Sequence, residues 1–279
     1  MRKTRSGFGL FFSYVLLVIL AISVLYPTTW ILVSSFRPGG SIYSPNFFPE
    51  SYTLVHYRTL FTDPSFMFGR WYWNTFKIAV YTMVFGTMAT TMVAYVMSRF
   101  RFKGRKTTLT ALLVLGMFPN FMALISIFLL LYQFDLLNTH LALIIIYSCG
   151  APVGATFIVK GYFDTIPVSL EESARIDGAS HLTVFWKLMF PLAKPILTYM
   201  AVTTFVGAWI DFILARLVLR SRDQWTVAVG LWDLATNFRT ANFTMFAAGC
   251  VMVAVPITVI YLLLQRFIVE GLTSGANKG

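Results

Sequence analysis

Long apolar stretches without charge constrain this chain more than any other feature. Six of them approach the roughly 20 residues that an α-helix needs to cross a bilayer. They are expected near Phe11–Ser34, Trp73–Met97, Thr108–Tyr132, Leu141–Lys160, Pro195–Leu219 and Thr244–Phe267. Of the 279 residues, 57% are hydrophobic and only 12% charged, against roughly 25% charged in soluble domains. A single aqueous core cannot hide that much apolar surface, so the bilayer is the expected solvent. The basic amino terminus, Met1-Arg2-Lys3-Thr4-Arg5-Ser6, ahead of an apolar run imitates a signal peptide. The run continues to about Ser35, past the ~7–15 residues of a signal core, and no small-x-small cleavage site follows. It is read as a retained first span.

The net charge of +11 does not point to nucleic acid, because the basic residues fall between the apolar stretches and form no stripe interleaved with aromatics. They orient the chain instead. Fourteen Lys and Arg lie in the loops of one side, among them the dense cluster Arg99, Arg101, Lys103, Arg105 and Lys106, and eight lie on the other. The richer side is expected to be cytoplasmic, with both termini on it. Cys149 and Cys250 both lie in apolar runs, and no disulfide between them is expected. His56, His140 and His181 are isolated, with no metal spacing, and are read as surface or satisfied residues. Trp71, Tyr72 and Trp73 read as an interfacial belt. The phosphate-cradling G-x-x-x-x-G-K-[ST] loop is missing, so ATP is not expected to bind here.

The inner loop reads GYFDTIPVSLEESARIDGASHLTVFWKLMFPLAKP. Ser169 with Glu172 fits a capping box, Pro167 suits a helix start, and Gly178 suits the left-handed residue that ends one. The helix between them is too short to stand alone in water and needs a partner surface. Ser180 is placed to cap a second helix carrying Leu182, Phe185, Trp186 and Met189 on one side, broken by Pro191 and Pro195.

Glu172-Ser173-Ala174, then Gly178, then Leu188-Met189-Phe190-Pro191 after nine residues, resembles the EAA loop of ABC importer permeases. The chain departs from that pattern only at Ser173 for Ala, Leu188 for Ile and Phe190 for Leu. Trp73-Asn74-Thr75, Arg175-Ile176-Asp177-Gly178-Ala179, Asp211–Ala215, Trp225–Leu231 and the tail from Gln265 to Gly279 resemble the smaller permease of maltose and maltodextrin importers. In the first outer loop the likeness weakens, with His56 where the family usually shows Asn. The resemblance implies an all-α type I ABC importer permease of six transmembrane helices, multi-pass in a bacterial or archaeal cytoplasmic membrane. It implies a transport subunit and not an enzyme, forming half of the path for a sugar, a malto-oligosaccharide or similar. The implied partners are a second permease in a heterodimer, two ATPase subunits that bind ATP and Mg, an extracytoplasmic sugar-binding protein and membrane lipid. No cofactor and no metal is expected in the chain itself.

On this reading residues 1–72 hold the first span and outer loop, 73–268 the transport core with the loop 161–194, and 269–279 a cytoplasmic tail. The resemblance assigns ATPase coupling to Glu171, Glu172, Ser173, Ala174, Arg175, Ile176, Asp177, Gly178 and Ala179. It assigns a second ATPase contact to Ser274, Gly275, Asn277, Lys278 and Gly279 in the tail. It assigns binding-protein contact to Leu234, Ala235, Thr236, Asn237 and Phe238. Asp211 inside the fifth span is costly in hydrocarbon and must face protein or a water-filled path. It reads either as a path-lining residue or as a structural partner for a neighbouring helix or Arg216. Pro119 and Pro152 are expected to kink their spans, and Gly150 and Gly154 to permit close helix approach. A permease for another small solute remains an alternative. A self-sufficient carrier, which would often show internal repeats, and a membrane enzyme, which would need a nucleophile–base pair or metal spacing, find less support.

Overall fold

The computed structural model describes residues 7–41, 46–236 and 242–273, and among them every regular element is helical. In chain order these are α1 (Gly7–Ser34), α2 (Val55–Thr62), α3 (Phe68–Arg99), α4 (Arg105–Met117), a 3-10 turn (Asn120–Ala123) and α5 (Leu124–Gln133). There follow α6 (His140–Phe163), α7 (Val168–Ile176), α8 (His181–Val184), a π-helical turn (Phe185–Met189), α9 (Phe190–Leu192) and α10 (Lys194–Ile210). The last are α11 (Ile213–Val218), α12 (Val227–Thr236) and α13 (Phe243–Thr273).

Four described helices are long and apolar enough to cross a membrane: Gly9–Ser34, Phe68–Arg99, His140–Phe163 and Phe243–Arg266. Two further bent pairs bring the number to as many as six. The third expected span is not one rod. Arg105–Met117 and Phe121–Gln133 meet at 90°. Pro119 has no N–H to donate and pushes the residue before it out of the helical region, so Phe118 is extended at φ −71° and ψ 130°. Pro152, by contrast, is carried inside the unbroken α6. The fifth expected span also stops early, because α10 ends at Ile210 and Asp211 takes an extended backbone.

The chain divides into two compact units, Met1–Met67 with Leu231–Ala254, and Phe68–Gly230 with Val255–Gly279. In the first, α1 is apolar on every side, and none of its most apolar 18-residue stretch is buried, as suits a helix solvated by lipid. The strap after α1 is tied down by polar bonds. Ser35 and Tyr57 hydroxyls meet at 2.6 Å, and Arg37 donates to the carbonyls of Asn46 and Phe47 at 2.8 and 3.2 Å. His56 is buried and pairs its ring nitrogen with the Arg37 carbonyl at 2.8 Å, which makes it a satisfied histidine.

In the second unit α3 packs against α6 and α10. These three helices meet closely at Gly86, where a side-chain carbon would meet Ala151 of α6 and Thr204 of α10 at 3.2 Å. The expectation for Gly150 and Gly154 fails here: an added carbon at either meets nothing within 4 Å, because both turn away from their neighbours. The belt reading of Trp71 fails too. Trp71 is fully buried and donates its ring N–H to the Arg222 carbonyl at 2.7 Å, whereas Trp73 stands 58% exposed as a belt residue should. Asn74 donates to the carbonyls of Asp223 and Trp225, and Thr75 accepts from the Val227 N–H, so the start of α3 and the segment 222–227 are stitched together. Cys149 and Cys250 are both free thiols.

Candidate functional site

The loop 161–194 builds its short helix α7 with a sharp stop. Gly178 adopts φ +84°, its N–H donates to the Arg175 carbonyl, and the Ala179 N–H reaches the Ala174 carbonyl, each at 3.0 Å. This pair of bonds is the Schellman motif that glycine permits at low cost. The start differs from the capping box read from the sequence. Pro167 is the N-cap, at φ −58° and ψ 132°, and no side chain caps the helix. Ser169 is the second residue of the helix, already past the capping position.

Glu171, one place before the expected capping glutamate, organises the loop. It is buried and forms an ion pair with Arg99 at the end of α3 through Oε1. Its Oε2 accepts from the Tyr95 hydroxyl at 3.1 Å. Arg99 also donates to the Ile166 carbonyl at 2.8 Å, so one guanidinium holds both the loop and the helix that follows. Beside it, Asp164 accepts from Ser98 on α3 and from Lys160 on α6, each at 2.6 Å. Burial raises the Asp164 carboxyl, but those two hydrogen bonds and the Lys160 and Arg99 charges outweigh it and hold it below its ordinary range. The C-terminal ends of α3 and α6 and the start of α7 are thus one polar knot over an apolar core. Tyr95, Phe163, Phe185, Met189 and Ile196 fill that core.

The second loop helix begins as expected, with Ser180 accepting from the Thr183 N–H at 3.2 Å. Its packing face is not the expected one. The π-helical turn at Phe185–Met189 shifts the phase, so Val184, Phe185 and Met189 are buried while Leu182 is 73% and Trp186 44% exposed. With Val168, Leu170 and Ile176, these leave an apolar surface open around α7. Glu172, Ser173, Arg175, Ile176, Asp177 and Gly178 are exposed and Ala174 and Ala179 half-buried. Only Glu171 of the expected set turns inward.

The other expected residues are dispersed. On α12, Leu234 is buried, while Thr236 is exposed and Trp232 stands 52% open; Asn237 and Phe238 lie outside the described residues. Ser274, Gly275, Asn277, Lys278 and Gly279 lie outside them as well. Asp211 sits at the break between α10 and α11. Its Oδ2 accepts from the Tyr147 hydroxyl at 2.6 Å and the Ala215 N–H at 2.9 Å. Its structural partner is therefore Tyr147, and Arg216 instead stacks on Trp225 at 5.0 Å. Sequence reasoning missed Tyr95 and Arg99 as site residues. Arg99 was legible only as one charge of an orientation cluster, and a lone Tyr in an apolar run carries no signal of what it faces.

Residues 83–273 match the family of binding-protein-dependent transport system inner membrane components. The chain belongs to this family. It is a permease, a transport subunit of the membrane and not an enzyme. It is 41% identical to the galactooligosaccharides transport system permease protein GanQ of Bacillus subtilis, over 99% of this chain and 98% of that one. It is 38% identical to the maltodextrin transport system permease protein MdxG of the same organism, over 96% and 95%. It is 32% identical to the maltose/maltodextrin transport system permease protein MalG of Escherichia coli K12, over 97% and 96%. Among solved structures, a chain of a bacterial ABC transporter involved in the import of the acidic polysaccharide alginate superposes with a TM-score of 0.82 at 25% identity. That match covers 96% of this permease and 99% of the other chain.

Proposed function

We propose that this permease forms half of the translocation path of an ATP-driven importer of neutral oligosaccharides, of the galacto- or malto- kind carried by its relatives' systems. The observation that carries the mechanism is α7: a stopped, nine-residue helix, pinned to α3 by Arg99 and Glu171 and surrounded by exposed apolar side chains. Such a helix is too short to be stable alone, and exposed apolar surface on the soluble side marks a protein contact. The contact is a partner ATPase, one of two, which binds ATP and Mg and drives the rest. Residues 172–179 dock on it, Glu171 being turned inward to Arg99, and the tail from Ser274 to Gly279 reaches the same partners. A second permease completes the path, and the segment 234–238 meets an extracytoplasmic binding protein that delivers the sugar. The chain crosses the bacterial cytoplasmic membrane six times with both ends inside.

The pin explains coupling physically. A push on α7 is delivered through the Arg99 guanidinium to α3, a 32-residue helix that packs on α6 and α10. The test is to assemble the permease with its ATPase, second permease and binding protein in liposomes and measure galactotriose and maltotriose uptake. Uptake is expected only with ATP and binding protein together. Accumulation by this chain alone, without ATPase, would sink the proposal.

A further inference from the structure

Between α3 and α4 the chain carries four cations in six residues, Arg101, Lys103, Arg105 and Lys106, and no acid occurs anywhere between Asp63 and Asp135. The carboxylates that meet the end of α3 are already taken, Asp164 by Lys160 and Ser98, and Glu171 by Arg99 and Tyr95. Arg105 serves the fold. Its guanidinium donates to the Met97 and Ser98 carbonyls at 2.9 and 3.4 Å, and so ties the start of α4 to the end of α3. Gly104, at φ +94°, turns the chain between them. The result is an open cup of about 340 Å³ with Arg101, Phe102, Arg105 and Lys106 in its wall. Arg101 and Lys106 are exposed, and neither has a hydrogen-bond or ion-pair partner from its side chain among the described residues. The cup also stands at the end of membrane helices. α3 is long and apolar enough to span and ends at Arg99, and α4 opens the bent pair that makes a further span. No residue of α4 is buried, and Leu113, Leu115 and Met117 along it are exposed, as is Phe102 beside the cations.

We infer that this cup binds the headgroup phosphate of an anionic phospholipid, with Arg101 and Lys106 on the phosphate oxygens and the acyl chains lying along α4. Basic clusters at the end of a membrane helix attract anionic headgroups, and a basic pocket there fixes one of them. A zwitterionic headgroup suits the cup less, because its own ammonium already answers its phosphate. An acidic protein surface would supply the charge but nothing to cover the apolar side chains of α4, whereas a lipid supplies both. The site is independent of which solute the permease carries, and of which side of the membrane the loop faces. Its occupant would brace a strategic place. Arg105 holds the last carbonyls of α3 from within the cup, and on the same turn of α3 Ser98 and Arg99 hold Asp164 and Glu171.

The test uses the complete complex in nanodiscs, with a bimane fluorophore on Thr110→Cys in a Cys149→Ser, Cys250→Ser background and no other reactive cysteine. Thr110 is exposed on α4, one turn beyond Lys106. The probes are phosphatidylglycerol and phosphatidylcholine, each with a spin label high on one acyl chain, so that quenching reports which lipid sits beside α4. Phosphatidylglycerol is expected to half-quench at a lower mole fraction than phosphatidylcholine. Lys106→Gln should raise that mole fraction roughly fivefold, the worth of one basic residue near an anionic surface, and Arg101→Gln should do the same. The charge-keeping pair Arg101→Lys, Lys106→Arg should retain the preference, and Lys103→Gln, outside the cup, should cost less than Lys106→Gln. Equal quenching by the two lipids with all four cations in place overturns the site. So does a preference that survives the double variant Arg101→Gln, Lys106→Gln; if that variant keeps the preference and loses ATPase from the complex, the cluster is a protein contact. A loss on Lys103→Gln as large as that on Lys106→Gln overturns the cup in favour of a diffuse field. Removal of the preference by millimolar inorganic phosphate at constant ionic strength overturns the lipid in favour of the free anion.

Discussion

Arg99 and Glu171 are 9% and 11% exposed at their side chains, so their bond is a buried one. Removing one partner of such a pair leaves a desolvated charge and costs about 3–5 kcal/mol. Glu171→Ala is therefore expected to lower the thermal midpoint of the detergent-purified complex, and Arg99→Ala to do the same. The double variant should lose less than the sum of the two, because neither charge is then stranded. Arg99→Lys should not restore the wild type, since one ammonium cannot span both Glu171 and the Ile166 carbonyl as the guanidinium fork does. Additive losses in the cycle would show that the pair is not coupled. Gly230 is constrained as sharply by packing. A carbon added there would fall 2.0 Å from the Trp71 ring, and Trp71 is wedged by its own bond to the Arg222 carbonyl and cannot retreat. Gly230→Ala should cost at least the roughly 1–3 kcal/mol of overpacking and reduce the yield of monodisperse complex. Gly161→Ala, in open space, should not. Equal yields would show that the indole moves aside.

At the scale of the element, α7 is defined by its stop. Gly178 takes φ +84° with open space where a side chain would go, so a substitution there is opposed by backbone strain of about 1–2 kcal/mol and not by a clash within the chain. Gly178→Ala is expected to keep the complex assembled with a modest loss of sugar-stimulated ATPase activity. Gly178→Trp should abolish the stimulation, because its ring would occupy the exposed face proposed to meet the partner ATPase. Membrane insertion should be normal in both. Normal uptake by Gly178→Trp would show that this face is not the docking surface. The neighbouring loop helix illustrates how a local irregularity redirects an element. Five residues of π-helix at Phe185–Met189 rotate the chain enough to bury Phe185 and Met189 and release Trp186.

For the whole molecule, the charge asymmetry predicts that the loop 100–104 and the segment 220–226 face opposite sides of the membrane. A cytoplasm-active fluorescent reporter fused after Lys103 should shine, and a phosphatase active only outside should work when fused after Asp223. The reverse pattern would invert the orientation and move α7 away from any ATPase. Sequence by itself determined that the chain is a helical membrane protein whose loop 161–194 carries a short helix with a sharp stop, because span length and the Gly178 stop are local properties readable residue by residue. The helix stop at Gly178 and the cap at Ser180 were legible for the same reason. Sequence did not determine which glutamate turns inward: Glu171 and Glu172 are the same chemistry one position apart, and only the approach of Arg99 and Tyr95, more than 70 residues upstream, distinguishes them. Nor did it show that Trp71 is core and Trp73 surface, that Gly86 and not Gly150 is the crossing point, or that Asp211 pairs directly with Tyr147 in the wall of a cavity. Each of these depends on how α3, α6 and α10 are turned about their axes. An apolar helix in a membrane carries little amphipathic pattern to reveal that rotation, so only the packed structure decides it.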